Sequence, residues 1–100
     1  MKINEFVGKA VYSPSLRERL VIDSIDGVYI EVRTEKQNQY GTHGHYRYFT
    51  GTVPSDNAIE NGELIFEDRS LFEPFKAAFA DYCRNKGKHD QYLYYSRFYD

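Results

Sequence analysis

Leu20-Val21-Ile22-Asp23-Ser24-Ile25-Asp26-Gly27-Val28-Tyr29-Ile30-Glu31-Val32-Arg33 decides the fold of this chain. Alternation in its second half puts Val28, Ile30 and Val32 on one face and Tyr29, Glu31 and Arg33 on the other, the two-residue period of a half-buried strand. Asp26-Gly27 is a turn signal, so residues 20–24 are read as the antiparallel partner of residues 28–33. Two registers compete. A two-residue turn at Asp26-Gly27 would bring Asp23 onto the apolar face. A three-residue turn, Ile25-Asp26-Gly27 with Gly27 at positive φ, brings Leu20 and Ile22 there instead. The second register buries aliphatic groups without burying a carboxylate, so it is the one expected.

Outward from the hairpin, residues 6–12 read as a preceding strand, closed by the turn cluster Ser13-Pro14-Ser15. Residues 34–45 (TEKQNQYGTHGH) lack any aliphatic side chain and form a long polar loop, a kind of segment that is either functional or merely mobile. A fourth strand is expected at 46–52, a break at 54–57, a turn at Asn61-Gly62 and a short strand at 64–67. A helix is expected over about 70–86. Ser70-Leu71-Phe72-Glu73 has capping-box spacing, and Pro74 is acceptable in a first turn. Leu71, Phe72, Phe75, Ala78, Phe79, Tyr82 and Cys83 make one apolar stripe, and Gly87 is a natural stop. In the tail, Tyr92, Tyr94 and Phe98 suit a strand, whereas Tyr92, Tyr95 and Tyr99 suit a helix face. The density of β-formers favours a final strand.

These elements predict a single α+β domain of 100 residues, an antiparallel sheet with one helix packed on it. Phe6-Val7-Gly8-Lys9-Ala10-Val11, followed by Leu20-Val21-Ile22 and Val28-Tyr29-Ile30-Glu31-Val32, resembles the opening of SH3-like small barrels of the Tudor and KOW type. In those families a Gly-x-x-Val strand precedes a strongly bent hairpin. The resemblance covers about the first half of the chain. It implies a strongly bent sheet, an SH3-like small barrel, and a module that binds peptides or nucleic acid.

A net charge of −2 exerts no global pull on nucleic acid. Charge is nonetheless uneven: Asp56, Glu60, Glu63, Glu67, Asp68 and Glu73 face only Arg69 in their segment, while Arg84, Lys86, Lys88 and Arg97 face only Asp90. The lone Cys83 excludes an internal disulfide. The start lacks the apolar run of a signal peptide, and no stretch reaches the roughly 20 apolar residues of a membrane span, so no membrane partner and a cytoplasmic location are expected.

Ten Tyr and seven Phe without a Trp supply amphipathic rings for half-buried sheet positions or for a binding face. Tyr40, His43, His45, Tyr46, Arg47, Tyr48 and Phe49 form one cluster, and Tyr92, Tyr94, Tyr95 and Arg97 a second. Tyr with Arg is the composition of interface hot spots, which predicts a non-enzymatic module for a protein partner of the inhibitor, immunity or adaptor kind. The alternatives are single-stranded nucleic-acid binding through the basic aromatic tail, with bases stacked on such rings, and a small enzyme or metal protein centred on His43 and His45 with His89 or a carboxylate as a third ligand. Ser13 or Ser15 with His43 and Asp23 would make a hydrolytic triad on paper, and Glu60, Glu63 and Glu67 an acid–base pair. No Gly-x-Ser-x-Gly turn, phosphate-cradling loop or complete ligand set accompanies them, so no catalytic residue, metal or cofactor is assigned.

Overall fold

The computed structural model describes residues 1–26, 29–50 and 55–99, with side chains of these up to residue 85. Five antiparallel strands, β1 (Ala10–Ser13), β2 (Glu18–Ile25), β3 (Tyr29–Thr34), β4 (His45–Phe49) and β5 (Ile65–Phe66), form one sheet in the order β4-β3-β2-β1-β5. A single helix, α1 (Phe72–Tyr99), follows. The chain is thus a small compact α+β fold.

The faces of the central hairpin are those expected, but a different device sets them. Leu20, Ile22, Ile30 and Val32 are all buried; Val28 and Gly27 lie outside the described residues. Ile25 pairs with Ile30 and Ser24 with Glu31, while further along Ile22 pairs with Val32 and Leu20 with Thr34. Between Ile22 and Ser24 the register slips by one, leaving Asp23 as the extra residue of a β-bulge. Without the slip, Asp23 would stand opposite Val32 and Ile22 would turn to the outer face. The bulge, rather than a three-residue turn at Ile25, therefore keeps the carboxylate out of the core.

Three expected strands begin or end elsewhere. Phe6 lies in a 3-10 helix (Ile3–Phe6), not in β1. Gly8, at φ 90°, breaks extended structure there, and its N–H donates to the carbonyl of Ile22 at 2.8 Å. β4 covers His45–Phe49, with residues 51 and 52 of the expected strand outside the described residues, and β5 covers only Ile65–Phe66.

The apolar stripe of α1 seals the core as expected. Phe75 and Phe79 are fully buried, and Leu71, Phe72 and Cys83 pack against the same cluster. Phe6 meets Phe75 edge-on at 5.2 Å and Phe66 at 5.8 Å, while Phe75 stacks on Phe79 at 5.5 Å. The helix start differs from the expected capping box. A 3-10 turn (Arg69–Leu71) comes first, and Asp68 caps it, accepting from the Ser70 N–H at 3.1 Å and the Ser70 hydroxyl at 2.6 Å.

Two larger corrections concern the ends of the sheet and of the helix. The expected barrel is not closed: β4 and β5 are the two edges. β5 pairs with β1 through two residues alone, and residues 57–62 turn instead of extending, so no strand bridges the edges among the described residues. The expected final strand is helix, because α1 continues through Gly87 to Tyr99. A glycine costs a helix only about 1 kcal/mol, and each propagating residue gains a hydrogen bond, whereas β-propensity is realised only beside a pairing partner.

Candidate functional site

Alternation along β4 divides the first aromatic cluster between two faces. Tyr46 and Tyr48 point to the core side and are half-buried, the Tyr48 hydroxyl lying 3.3 Å from the Ser13 hydroxyl. His45, Arg47 and Phe49 point to the opposite, outer face of the sheet. Register then places Tyr29 opposite Phe49, Glu31 opposite Arg47 and Arg33 opposite His45. The Tyr29 and Phe49 rings meet edge-on at 6.1 Å, and the Arg47 guanidinium sits 5.3 Å from the Tyr29 centroid. Phe49 remains 66% exposed. Tyr12 and Ile65, cross-strand partners on the same face, are also exposed.

Each arginine of this face is matched by a carboxylate. Arg47 pairs with Glu31 at 2.8 Å and Arg33 with Asp23 at 3.6 Å. Arg19 bridges Glu35 and, at 2.5 Å, Glu67. Hydrogen bonding to Glu35, then to Glu67, holds the Arg19 guanidinium still more firmly protonated, and Arg19 in turn holds the Glu35 carboxyl below its ordinary range. Glu31 and Arg33, read as lying on the face away from the core and so expected to be exposed, are half-buried beneath these partners.

The polar loop is a built extension of the β3–β4 hairpin. The Thr34 N–H donates to the carbonyl of Gly44 at 2.8 Å, and the Gly44 N–H to the Thr34 hydroxyl at 2.9 Å. At the tip the Asn38 carboxamide oxygen accepts from the N–H groups of Tyr40 (2.8 Å) and Thr42 (3.1 Å), and Gly41 takes φ 78°. Tyr40 projects from this tip, 80% exposed. His43 is a strut: its Nδ1 lies 2.8 Å from the Thr34 carbonyl, which can only accept, so that nitrogen carries the proton.

His43 Nδ1 is engaged by the Thr34 carbonyl, and among the described residues no three His, Cys, Asp or Glu side chains converge as a metal would need. The Ser13 hydroxyl contacts Ser15, the Leu16 N–H and Tyr48, not His43. Glu60 is bound to Asn57 and Glu67 to Arg19, so two of the three carboxylates read as an acid–base pair already have partners. Tyr92, Tyr94 and Arg97 lie on α1, but their side chains, like that of His89, are outside the described residues.

Reading residues one at a time missed that Tyr29 joins Phe49 and Arg47, and that Tyr12 and Ile65 lie on the same face toward the opposite edge of the sheet. The alternation that set Tyr29, Glu31 and Arg33 on one face carried part of that signal; the cross-strand partners required the register. In comparisons with known proteins, the chain matches no family model, no curated protein and no solved structure. No helix among the described residues is long and apolar enough to cross a membrane.

Proposed function

We propose that this domain is a non-enzymatic module for a protein partner, bound across the outer face of the sheet and the tip of the β3–β4 hairpin. One observation carries the reading: Phe49, Tyr40, Tyr12 and Ile65 are exposed on a surface whose arginines are already neutralised by carboxylates. Large rings with a polar rim are what protein hot spots use. Single-stranded nucleic acid would demand cations left over for phosphate, and Arg19, Arg33 and Arg47 are engaged. Kinship with SH3-like small barrels belongs to the same proposal, supported by the Gly8-Lys9-Ala10-Val11 opening ahead of the central hairpin.

The test is a photoreactive phenylalanine analogue at Tyr12 or Tyr40, irradiated in cells that naturally make the protein, with exposed Glu63 as control. A discrete protein adduct from both Tyr12 and Tyr40 and none from Glu63 is the expected result. The captured protein, once purified, should bind the wild-type domain and lose about tenfold or more in affinity to Phe49→Ala, the usual cost of losing an aromatic anchor. Nucleic-acid adducts, or equal labelling from Glu63, would overturn the proposal.

A further inference from the structure

Of the five asparagines in the chain, Asn61 alone is followed by glycine, and the fold leaves that pair in the open. Asn61, Gly62 and Glu63 are exposed in the turn that leads into β5. Gly62 takes φ 87°, a region glycine enters without strain, and space is open where a side chain would stand. Among the described residues no group accepts from the Gly62 N–H. The Asn61 carboxamide oxygen accepts from the Glu63 N–H at 3.3 Å, an Asx turn that folds the carboxamide over the Gly62 peptide.

We propose that Asn61 is a self-modification site, converted within the native turn to a succinimide and then to isoaspartate and aspartate. Solvent hydroxide takes the Gly62 amide proton, and the nitrogen lone pair forms a bond to Asn61 Cγ. The carbonyl electrons move onto Oδ1, which the Glu63 N–H already faces, so the developing oxyanion has a donor in place. The bond from Cγ to the carboxamide nitrogen then breaks, and that nitrogen leaves as ammonia with a proton from water, which restores the hydroxide. Both reactants belong to one chain and close a five-membered ring, so little entropy is lost in bringing them together. Water next opens the succinimide. Attack at Cγ gives aspartate; attack at the main-chain carbonyl gives isoaspartate, whose chain runs through Cβ and Cγ. One water is consumed and one ammonia released, with no change of oxidation state.

Asn38 is the internal contrast. Its carboxamide oxygen accepts from the Tyr40 N–H in the same kind of turn, but the intervening nitrogen belongs to Gln39, whose side chain crowds the approach. At residue 61 the isoaspartyl product acts on β5. The Asn61 N–H is fixed to the Asn57 carbonyl at 3.0 Å and the Leu64 N–H to the Ala58 carbonyl at 2.9 Å, with Leu64 fully buried. An extra methylene between these anchors must be absorbed next to a strand that holds β1 through two residue pairs alone. The new carboxylate also joins Glu60 and Glu63 in an acidic segment.

Peptide mapping by mass spectrometry of the folded full chain, incubated at neutral to mildly alkaline pH, should find isoaspartate and aspartate accumulating at residue 61 while Asn38 stays an amide. The conversion should quicken as pH rises, because the nucleophile is the deprotonated amide. Asn61→Gln, which would need a six-membered ring, should all but stop it. An amide that persists at residue 61 in the folded chain, beside a peptide of residues 57–65 that converts, would overturn the site, as would equal conversion at Asn38. The isoaspartyl protein, separated by ion exchange, should melt below Asn61→Asp, which carries the charge without the methylene. Equal melting of the two would overturn the coupling to β5.

Discussion

Deleting one residue from the middle of a central strand ordinarily turns half the strand inside out, yet deleting Asp23 should not. With Asp23 gone, Ile22 would be followed directly by Ser24, and the pairs Ile22–Val32, Ser24–Glu31 and Ile25–Ile30 would form an unbroken ladder with every side chain on its present face. What is lost is the ion pair with Arg33, half-exposed at 3.6 Å, a class of interaction worth about 0–1 kcal/mol. Deleting Val21 is the control. If the bulge persists, Leu20 moves to the outer face; if the bulge is absorbed, Ile22 moves out and Asp23 moves in opposite Val32. Either route exposes a fully buried aliphatic side chain, at roughly 2–5 kcal/mol once the vacated space is included. A domain of this size has about 5–15 kcal/mol in total, and each kcal/mol shifts Tm by about 4–8 °C. Thermal and urea denaturation should therefore leave the Asp23 deletion within about 8 °C of wild type and drop the Val21 deletion by about 10 °C or more. Equal losses for the two deletions would refute the bulge as the device that sets the faces.

Phe79→Ala, removing a ring stacked on Phe75 and fully buried, should cost about 3–5 kcal/mol by chemical denaturation, and a loss below about 1 kcal/mol would mean the stripe does not face the core. The Ser70 hydroxyl and then the Ser70 N–H donate to Asp68 and hold its carboxyl below the ordinary range. A depressed folded-state pKa contributes stability at neutral pH that disappears as pH falls through it, so Asp68→Asn should flatten the acid limb of a Tm–pH profile. Replacing residues 35–43 by Asn-Gly joins the bonded pair Thr34–Gly44 through a two-residue turn. The fold should persist by circular dichroism while the foreign-protein adduct at Tyr12 is lost; an undiminished adduct would place the binding surface away from the tip.

The faces of the hairpin were legible because Val28, Ile30 and Val32 alternate strictly with polar or amphipathic residues. The bulge was not, since Leu20-Val21-Ile22-Asp23 fits either register until pairing with β3 is known. Phe6 looked like strand because its neighbours are β-formers, but its value to the fold is tertiary: it fills the space between Phe66 and Phe75. The tail shows the converse, tyrosine-rich residues drawn into a helix already running from Phe72. Of the candidate site, the single cluster read from Tyr40 to Phe49 splits across two faces, Arg47 and Phe49 on one and Tyr46 and Tyr48 on the other. That His43 would brace Thr34 depended on the Asn38 turn, for which TEKQNQYGTHGH holds no pattern stronger than its polarity.

The seat of Phe6 against Phe66 and Phe75 also governs the order of events during synthesis. These contacts span most of the chain, so the core cannot be sealed while the ribosome still holds the residues of α1. Until they emerge, the meander β1–β4 must wait with Val11, Leu20, Ile22 and Phe6 uncovered, at the synthesis rate of about 5–20 residues per second. Non-local closure of this kind slows folding and leaves nascent chains exposed to association. Completion of the domain is therefore timed by its last element, and a chaperone that shields the hairpin would act in the interval before α1 arrives.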